Sequence, residues 1–306
     1  MTPVTQGSVV TVGTFDGVHL GHRAVLSEIA ERARRSGRRS LLVTFEPHPL
    51  EIVNPQAAPP LLTLSSERRE VLAQSELDLV AFLPFTRELS LYSPTQFVEM
   101  LHTRFEMREL VIGYDHGFGR GRQGDVHVLE AMGERMGFAV DVVEAVSHGG
   151  KPLSSTLVRR AIAGGDLNTA AETLGRPYSL TGPVVAGAGR GRTIGYKTIN
   201  IAVPDRRKLL PPDGVYAVRV EWRGGSAGAM MHQGPRPTFG ETERSVEAHL
   251  FDVAPDLYGS EIKVSWVSHL RDVQTFSGTE ALKAQLDRDF EAAQIALTRS
   301  AGSASH

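Results

Sequence analysis

Apolar residues in the first half of the chain alternate between short continuous runs and helical spacing. Val9 to Gly13 reads as a buried strand. From about Gly21 to Ser36 the residues Val25, Leu26, Ile29, Ala30 and Ala33 fall on one face of a helix, and Gly37 supplies its stop. Strands at Leu41 to Phe45, Leu79 to Leu83, Leu110 to Gly113 and Ala139 to Val143 then alternate with helices at Glu67 to Gln74, Pro94 to Phe105 and Asp125 to Met136. Ser93, Pro94 and Gln96 have the spacing of a capping box with proline at the first helical position. Such alternation predicts right-handed crossovers and a parallel sheet covered on both faces, with ligands at the carboxyl ends of its strands.

Beyond two short helical stretches, Thr156 to Ala163 and Leu167 to Leu174, the period changes. Val215 to Trp222, Val246 to Phe251 and Ile262 to Val267 alternate with period two, and Gly and Pro separate them. An antiparallel sheet or small barrel is expected there. A last helix from Gly278 to about Leu297 carries Leu282, Leu286, Phe290 and Ala293 at helical spacing. The change of period places a boundary near Gly175-Arg176-Pro177, giving domains 1–176 and 177–299. Ser300 to His306 is small and polar and reads as a disordered tail. No internal repeat is visible.

Composition narrows the functional classes. With 306 residues the chain is long enough for two ordinary domains, each with its own core. A net charge of −2 offers no general attraction to nucleic acid, which is not expected as a partner, although it leaves room for a local basic pocket for phosphates. The count of 0 cysteines excludes disulfides, thiolate nucleophiles and cysteine-ligated metals. The first residues lack a basic segment followed by an apolar run, and no stretch approaches a membrane span; the cytoplasm is the expected location. Oligomeric state is not legible.

The strongest local signal is Gly13-Thr14-Phe15-Asp16-Gly17-Val18-His19-Leu20-Gly21-His22, leaving the first strand and opening the first helix. Backbone N–H groups at a helix N-terminus attract anions, and glycines let a phosphate approach. His19 and His22 add donors, which suits charge stabilisation in nucleotidyl transfer. A second reading of the same residues is a zinc site of His19 and His22 with Asp16 or His48. Ser154-Ser155-Thr156 by itself reads as a helix cap, and Arg159 with Arg160 as a solvated face. Pro47 and Pro49 are also strand stops.

The His-x-Gly-His after the first strand resembles the nucleotidylyltransferase superfamily. Together with Thr44 to Pro49, Val111 to Gly119 and Ser154 to Arg159, it resembles the ordered motifs of prokaryotic FAD synthetases. Downstream, Gly189 to Asn200 resembles the glycine-rich flap and Pro-Thr-Ala-Asn element of riboflavin kinases, and Pro235 to Gly240, Val246 to His249, Leu257 to Gly259 and Leu270 to Asp272 match later motifs. The resemblance, from about Val9 to Ala293, is therefore to prokaryotic bifunctional riboflavin kinase/FMN adenylyltransferases. It implies a Rossmann-like N-terminal adenylyltransferase domain, a C-terminal antiparallel β-barrel kinase domain and a terminal helix.

The same resemblance implies roles. His19, His22 and Arg159 would be catalytic in the first domain, with Gly13, Phe15, Asp16, Gly21, Ser155 and Thr156 around the ATP phosphates. Pro47, His48, Asp115 and Arg271 would contact flavin. In the second domain Gly189, Arg190 and Gly195 would approach the nucleotide, Thr198 and Asn200 would lie by Mg²⁺, and Glu247 would be the general base. ATP, riboflavin, FMN and FAD are the implied substrates and products. Read without the resemblance, Gly189 to Gly195 is a surface loop and Glu247 an outward carboxylate on a strand. Lys197 and Ile199 depart from the usual Pro and Ala, and His232-Gln233-Gly234 stands where Asn-Ile-Gly is common. A Lys197 turned inward would repel the metal and impair the kinase. Two rivals are a paralogue transferring a nucleotide to another small phosphate and a flavin carrier without turnover.

Overall fold

Residues Ser8–Val12 form β1, every one of them buried. The computed structural model describes residues 7–113, 126–144, 146–148, 151–187, 195–236 and 241–303. The chain divides into two compact units, Met1–Ser155 and Thr156–His306.

In the first unit β1 is followed by α1 (Leu20–Ser36), β2 (Arg39–Glu46), α2 (Pro49–Val53), α3 (Ser65–Leu72) and β3 (Leu79–Pro84). Next come α4 (Pro94–Phe105), β4 (Met107–Gly113), α5 (Val126–Met136), β5 (Ala139–Val143) and a two-stranded ribbon, β6 (Ser147–His148) with β7 (Lys151–Pro152). The five longer strands make one sheet in the order β3-β2-β1-β4-β5, and every pairing in it is parallel. The chain leaves β1 to one side and returns to β4 on the other, so the order reverses between these neighbours. The loop after β1 opens at that reversal, where doubly wound sheets place their ligands.

Alternate residues of each strand feed two cores. Val10, Val12, Leu41, Val43, Leu110 and Ile112 pack with Phe97, Val98 and Leu101 of α4 and Leu129 and Met132 of α5. Val9, Leu42 and Val111 face the other way, onto Leu26, Ile29 and Ala33 of α1 and Val71 and Leu72 of α3. Residues facing both layers explain why these strands read as continuous apolar runs. The expected helix ends are observed. Gly37 is left-handed at φ 65° and its N–H caps α1. Ser93 Oγ accepts from Gln96 N at 3.2 Å while Gln96 Oε1 accepts from Ser93 N at 2.9 Å. Helix α3 begins two residues earlier than its apolar pattern suggests, because the Glu67 carboxylate accepts the Leu64 N–H and closes a cap there.

The second unit opens with α6 (which starts at the last residue of the first unit, Ser155–Ala163) and α7 (Leu167–Leu174). Strands β8 (Ser179–Val185), β9 (Ile199–Ile201), β10 (Gly214–Trp222), β11 (Gly225–Arg236), β12 (Glu241–Leu250) and β13 (Glu261–Arg271) close a barrel, and α8 (Thr279–Ser303) follows. The order around it is β10-β11-β12-β9-β8-β13. Val218, Val220, Ala248, Val264 and Trp266 are buried in the strands. Val215 and Ala217 take the opposite face of β10 and pack under Leu286, Phe290, Ala293 and Leu297 of α8. Helix α8 runs four residues into the segment read as a tail, because Leu297 remains buried and holds its last turns.

Leu101 lies wholly buried on α4, in the core opposite α1. Leu101→Ala is expected to lower the stability of the N-terminal unit by about 2–5 kcal/mol. Urea denaturation followed by circular dichroism measures this, and a loss under about 1 kcal/mol would place Leu101 outside the core.

Candidate active sites

The loop after β1 is strained and tightly held. Phe15 (φ 48°), Gly17 (φ 81°) and Val18 (φ 41°) all lie in the left-handed region. For a β-branched residue such as Val18 this costs of order 1–3 kcal/mol. The Phe15 and Val18 side chains offset it by burial in the α1 core layer. Asp16, also buried, accepts hydrogen bonds at Oδ1 from Thr63 N (2.9 Å) and Thr63 Oγ1 (3.0 Å), and at Oδ2 from Leu62 N (3.0 Å). Gly17 N donates to the same Thr63 hydroxyl at 3.0 Å. The Asp16 carboxylate therefore anchors the loop from which α1 starts.

His19 is the N-cap of α1, and its Nδ1 accepts from His22 N at 3.3 Å. A ring nitrogen that accepts carries no proton, so the proton of His19 sits on Nε2, a donor. The His22 ring stacks on His19 with centroids 3.7 Å apart and leans on Phe15 at 4.5 Å. Glycine is needed at two nearby places: a Cβ on Gly13 would stand 2.9 Å from the Phe15 ring, and one on Gly21 3.1 Å from the His19 ring. Ser155 Oγ donates to Asp16 O at 2.9 Å, which brings the start of α6 to this loop. Thr156 and Arg159 follow on α6, within the second unit.

The zinc composition is not assembled: His19 Nδ1 and the Asp16 carboxylate already serve the protein's own donors, and no metal-holding group of three occurs among the described residues. His48 caps α2, with Nδ1 accepting from Leu50 N at 3.2 Å, just after the point where Pro47 ends β2. Asp115, Gly189 and Arg190 lie outside the described residues.

Sequence reading missed Arg68. It is buried on α3 and donates from Nη1 to Thr14 O (2.8 Å) and from Nη2 to Phe45 O (2.7 Å), tying together the ends of β1 and β2. Burial pulls its pKa down while Asp16 and Glu46 oppose that pull, and a guanidinium stays charged throughout. The available signal was the polar run Ser65 to Glu67 ahead of an arginine on a short helix.

The second site is a row across the barrel. Asn200 on β9 is directly opposite Glu247 on β12, and Glu247 is opposite His232 on β11. Val215 on β10 is opposite both His232 and, on β13, Arg271. Opposed residues share a face with Cβ atoms about 5 Å apart, and Val215 faces α8. Asn200, Glu247, His232 and Arg271 therefore line the outer, α8-bearing face. A Cβ on Gly187 would collide with the Asn200 amide, so glycine there makes room for it. Arg271 is held by Asp289 of α8, with Nη2 2.7 Å from Oδ2, and by the Asp272 carbonyl at 2.9 Å.

The departures from the kinase motif fall away from this row. Lys197 is exposed, so the inward cation on which the expected repulsion depended is absent. Ile199 is opposite Ala248, whose side chain is buried in the barrel, and so faces away from Asn200. The Asn200 amide oxygen and Thr198 hydroxyl are hard neutral donors, a set that suits Mg²⁺ completed by substrate phosphates and water. Gly195 adopts φ 87°, as expected for the end of a glycine-rich segment.

Comparison with known proteins matches both halves. The FAD synthetase family matches residues 1–157 and the riboflavin kinase family residues 174–297. The bifunctional riboflavin kinase/FMN adenylyltransferase of Escherichia coli K12 is 38% identical over 93% of this chain and 91% of its own. That of Pseudomonas fluorescens is 38% identical over 98% and 96%, and that of Bacillus subtilis 31% identical over 92% and 90%. A crystal structure described as a macrolide-efflux protein from Streptococcus pneumoniae superposes with a TM-score of 0.84 at 29% identity, covering 95% of each chain. No helix among the described residues is long and apolar enough to cross a membrane. With both family matches in the expected order, and relatives 31–38% identical over nine-tenths or more of their length, the chain belongs to the bifunctional riboflavin kinase/FMN adenylyltransferase family.

Proposed function

We propose that the protein phosphorylates riboflavin to FMN with ATP and then adenylylates FMN to FAD, releasing pyrophosphate. The kinase reaction is assigned to residues 177–299 and the adenylyl transfer to residues 1–176, in the cytoplasm, with small molecules and no nucleic acid as partners. The observation that carries the reading is that one chain holds both a histidine-capped helix N-terminus at the reversal point of a parallel sheet and an Asn200–Glu247 pair on a barrel.

In the first domain the attacking group is the FMN phosphate, already an oxyanion, so no general base is required. What the chain supplies is orientation and charge stabilisation at the α-phosphorus and the departing pyrophosphate. His19 Nε2–H, His22 and the N–H groups opening α1 serve that charge, and Ser155, Thr156 and Arg159 hold the triphosphate. Pro47, His48 and Asp115 border the flavin. Asp16 and Arg68 keep the loop in place before substrate arrives.

In the second domain Glu247 accepts the proton of the ribityl hydroxyl as its oxygen attacks the γ-phosphorus. Thr198 and Asn200 would hold Mg²⁺, which would supply charge to offset that of the phosphates. Gly189, Arg190 and Gly195 approach the nucleotide, and Arg271 shapes the flavin side.

Incubation with riboflavin, ATP and Mg²⁺, followed by separation of the flavins, should yield FMN and then FAD. FMN that accumulates without FAD would point to a paralogue with another acceptor, and no turnover at all to a flavin carrier. His22→Ala is expected to slow FMN adenylylation by about 10²-fold or more, the scale of one lost preorganised donor, with riboflavin phosphorylation unchanged. Steady-state rates of both half-reactions check this; equal loss in both would indicate a folding defect. Glu247→Gln should do the reverse, lowering riboflavin phosphorylation by about 10²- to 10⁴-fold and sparing adenylylation. A kinase that keeps its rate without this carboxylate would remove Glu247 from the mechanism.

A further inference from the structure

The backbone that leads into Thr198 and Asn200 is gripped from two sides. Tyr196 Oη donates to Asp287 Oδ1 of α8 at 2.6 Å. Burial and this carboxylate hold the Tyr196 phenol above its ordinary range, so it stays a donor. The Tyr196 ring packs against the apolar layer between β10 and α8. One residue on, the Lys197 carbonyl pairs with His249 Nδ1 at 2.8 Å. A carbonyl only accepts, so that nitrogen carries the proton. The His249 ring is edge-on to Tyr196 at 5.0 Å and lies 6.2 Å from Phe290 of α8. Glu247 precedes His249 by two residues on the same strand and therefore shares its face.

We propose that Tyr196, Asp287 and His249 are positioning residues of the kinase, clamping the chain at Tyr196–Lys197 so that Thr198 and Asn200 meet a nucleotide-bound divalent cation. The inference rests on reading Thr198 and Asn200 as the metal-side oxygens. Strand β9 spans only Ile199–Ile201, which leaves Thr198 outside the ladder. Its orientation must come from the residues before it. Oxygen donors that are ordered in advance bind a cation more tightly than donors that must be ordered on binding. Helix α8 thereby becomes a working part of the site. It does not depend on Tyr196 to stay docked, because Asp289 holds Arg271 through paired contacts of 3.0 and 2.7 Å, and Leu286, Ala293 and Leu297 pack on the barrel. Removing one hydroxyl should therefore loosen the arm and leave the helix where it is.

The test uses the full chain with Tyr196→Phe, Asp287→Ala, Asp287→Asn and Asn200→Ala. Mn²⁺ binding in the presence of ADP is read by electron paramagnetic resonance, and the N-terminal unit's contribution is common to all variants. Tyr196→Phe and Asp287→Ala should each weaken Mn²⁺ binding at the kinase site about 10-fold, the scale of one hydrogen bond to a charged group. The Mg²⁺ half-saturation of riboflavin phosphorylation should rise in parallel, with its rate at saturating Mg²⁺ little changed. Asp287→Asn keeps an acceptor oxygen and should restore parent-like binding, and the double variant Tyr196→Phe with Asp287→Ala should be no worse than either single change. Parent-like Mn²⁺ binding in Tyr196→Phe and Asp287→Ala, beside an impaired Asn200→Ala, overturns the clamp. Losses shared equally by both half-reactions, with a lowered melting temperature, overturn it as well, since the contact is then only structural. A parent-like Asn200→Ala overturns the metal reading beneath it and so marks that failure apart.

Discussion

The carboxylate of Asp16 is the contact on which the N-terminal site depends. A buried carboxylate costs several kcal/mol unless its oxygens are satisfied. Here they are satisfied by N–H groups of Leu62 and Thr63 and by the Thr63 hydroxyl. Those bonds hold a loop whose backbone is unfavourable at Phe15 and Val18. Once the loop is fixed, α1 starts at a defined point, His19 caps it, and His22 is stacked in place. Arg68 adds a second tie from inside, between the ends of β1 and β2. The rigidity is of the kind that phosphate transfer needs, because donors aimed beforehand need no reorganisation as charge develops.

The barrel arrives at a site by a different route. No single residue organises it; the strand register does. Because opposed residues share a face, one row across β9, β12 and β11 sets an amide-, a carboxylate- and an imidazole-bearing residue side by side, with Cβ atoms about 5 Å apart in turn. The same row ends at Arg271, which α8 holds through Asp289. A register slip of one residue on β12 would turn Glu247 into the barrel and dissolve the site. Packing inside the barrel makes such a slip costly, since it would turn the buried alternate residues Val246, Ala248 and Leu250 out of it.

The replaced residues of the kinase motif show how position decides what a substitution means. A lysine beside a metal oxygen reads as a repulsive charge. In the fold its side chain is exposed, and its carbonyl is what the protein uses, as the acceptor for His249. Proline would have restricted this backbone by its ring. Here the Tyr196–Asp287 and Lys197–His249 contacts restrict it through side chains drawn from two other elements.

Periodicity alone was enough to read the alternating strands and helices, the change to period two, the capping box at Ser93, the stop at Gly37 and the amphipathic terminal helix. Each depends on neighbours within a few residues, which is what a linear pattern records. His19 and His22 were legible as an anion-binding pair from residue type and spacing, whereas Ser155, Asn200 and Glu247 were singled out only by the family resemblance, since alone they read as a helix cap and strand residues. Strand order, barrel closure and the pairing of Asn200 with Glu247, 47 positions apart in sequence, were decided only by the tertiary structure. So were the engagement of Asp16 by Leu62 and Thr63, the burial of Arg68 and the outward turn of Lys197. The reason is physical: which partner satisfies a buried charge, and which way a side chain faces, depends on groups that only folding brings near, and local sequence holds no trace of their distance.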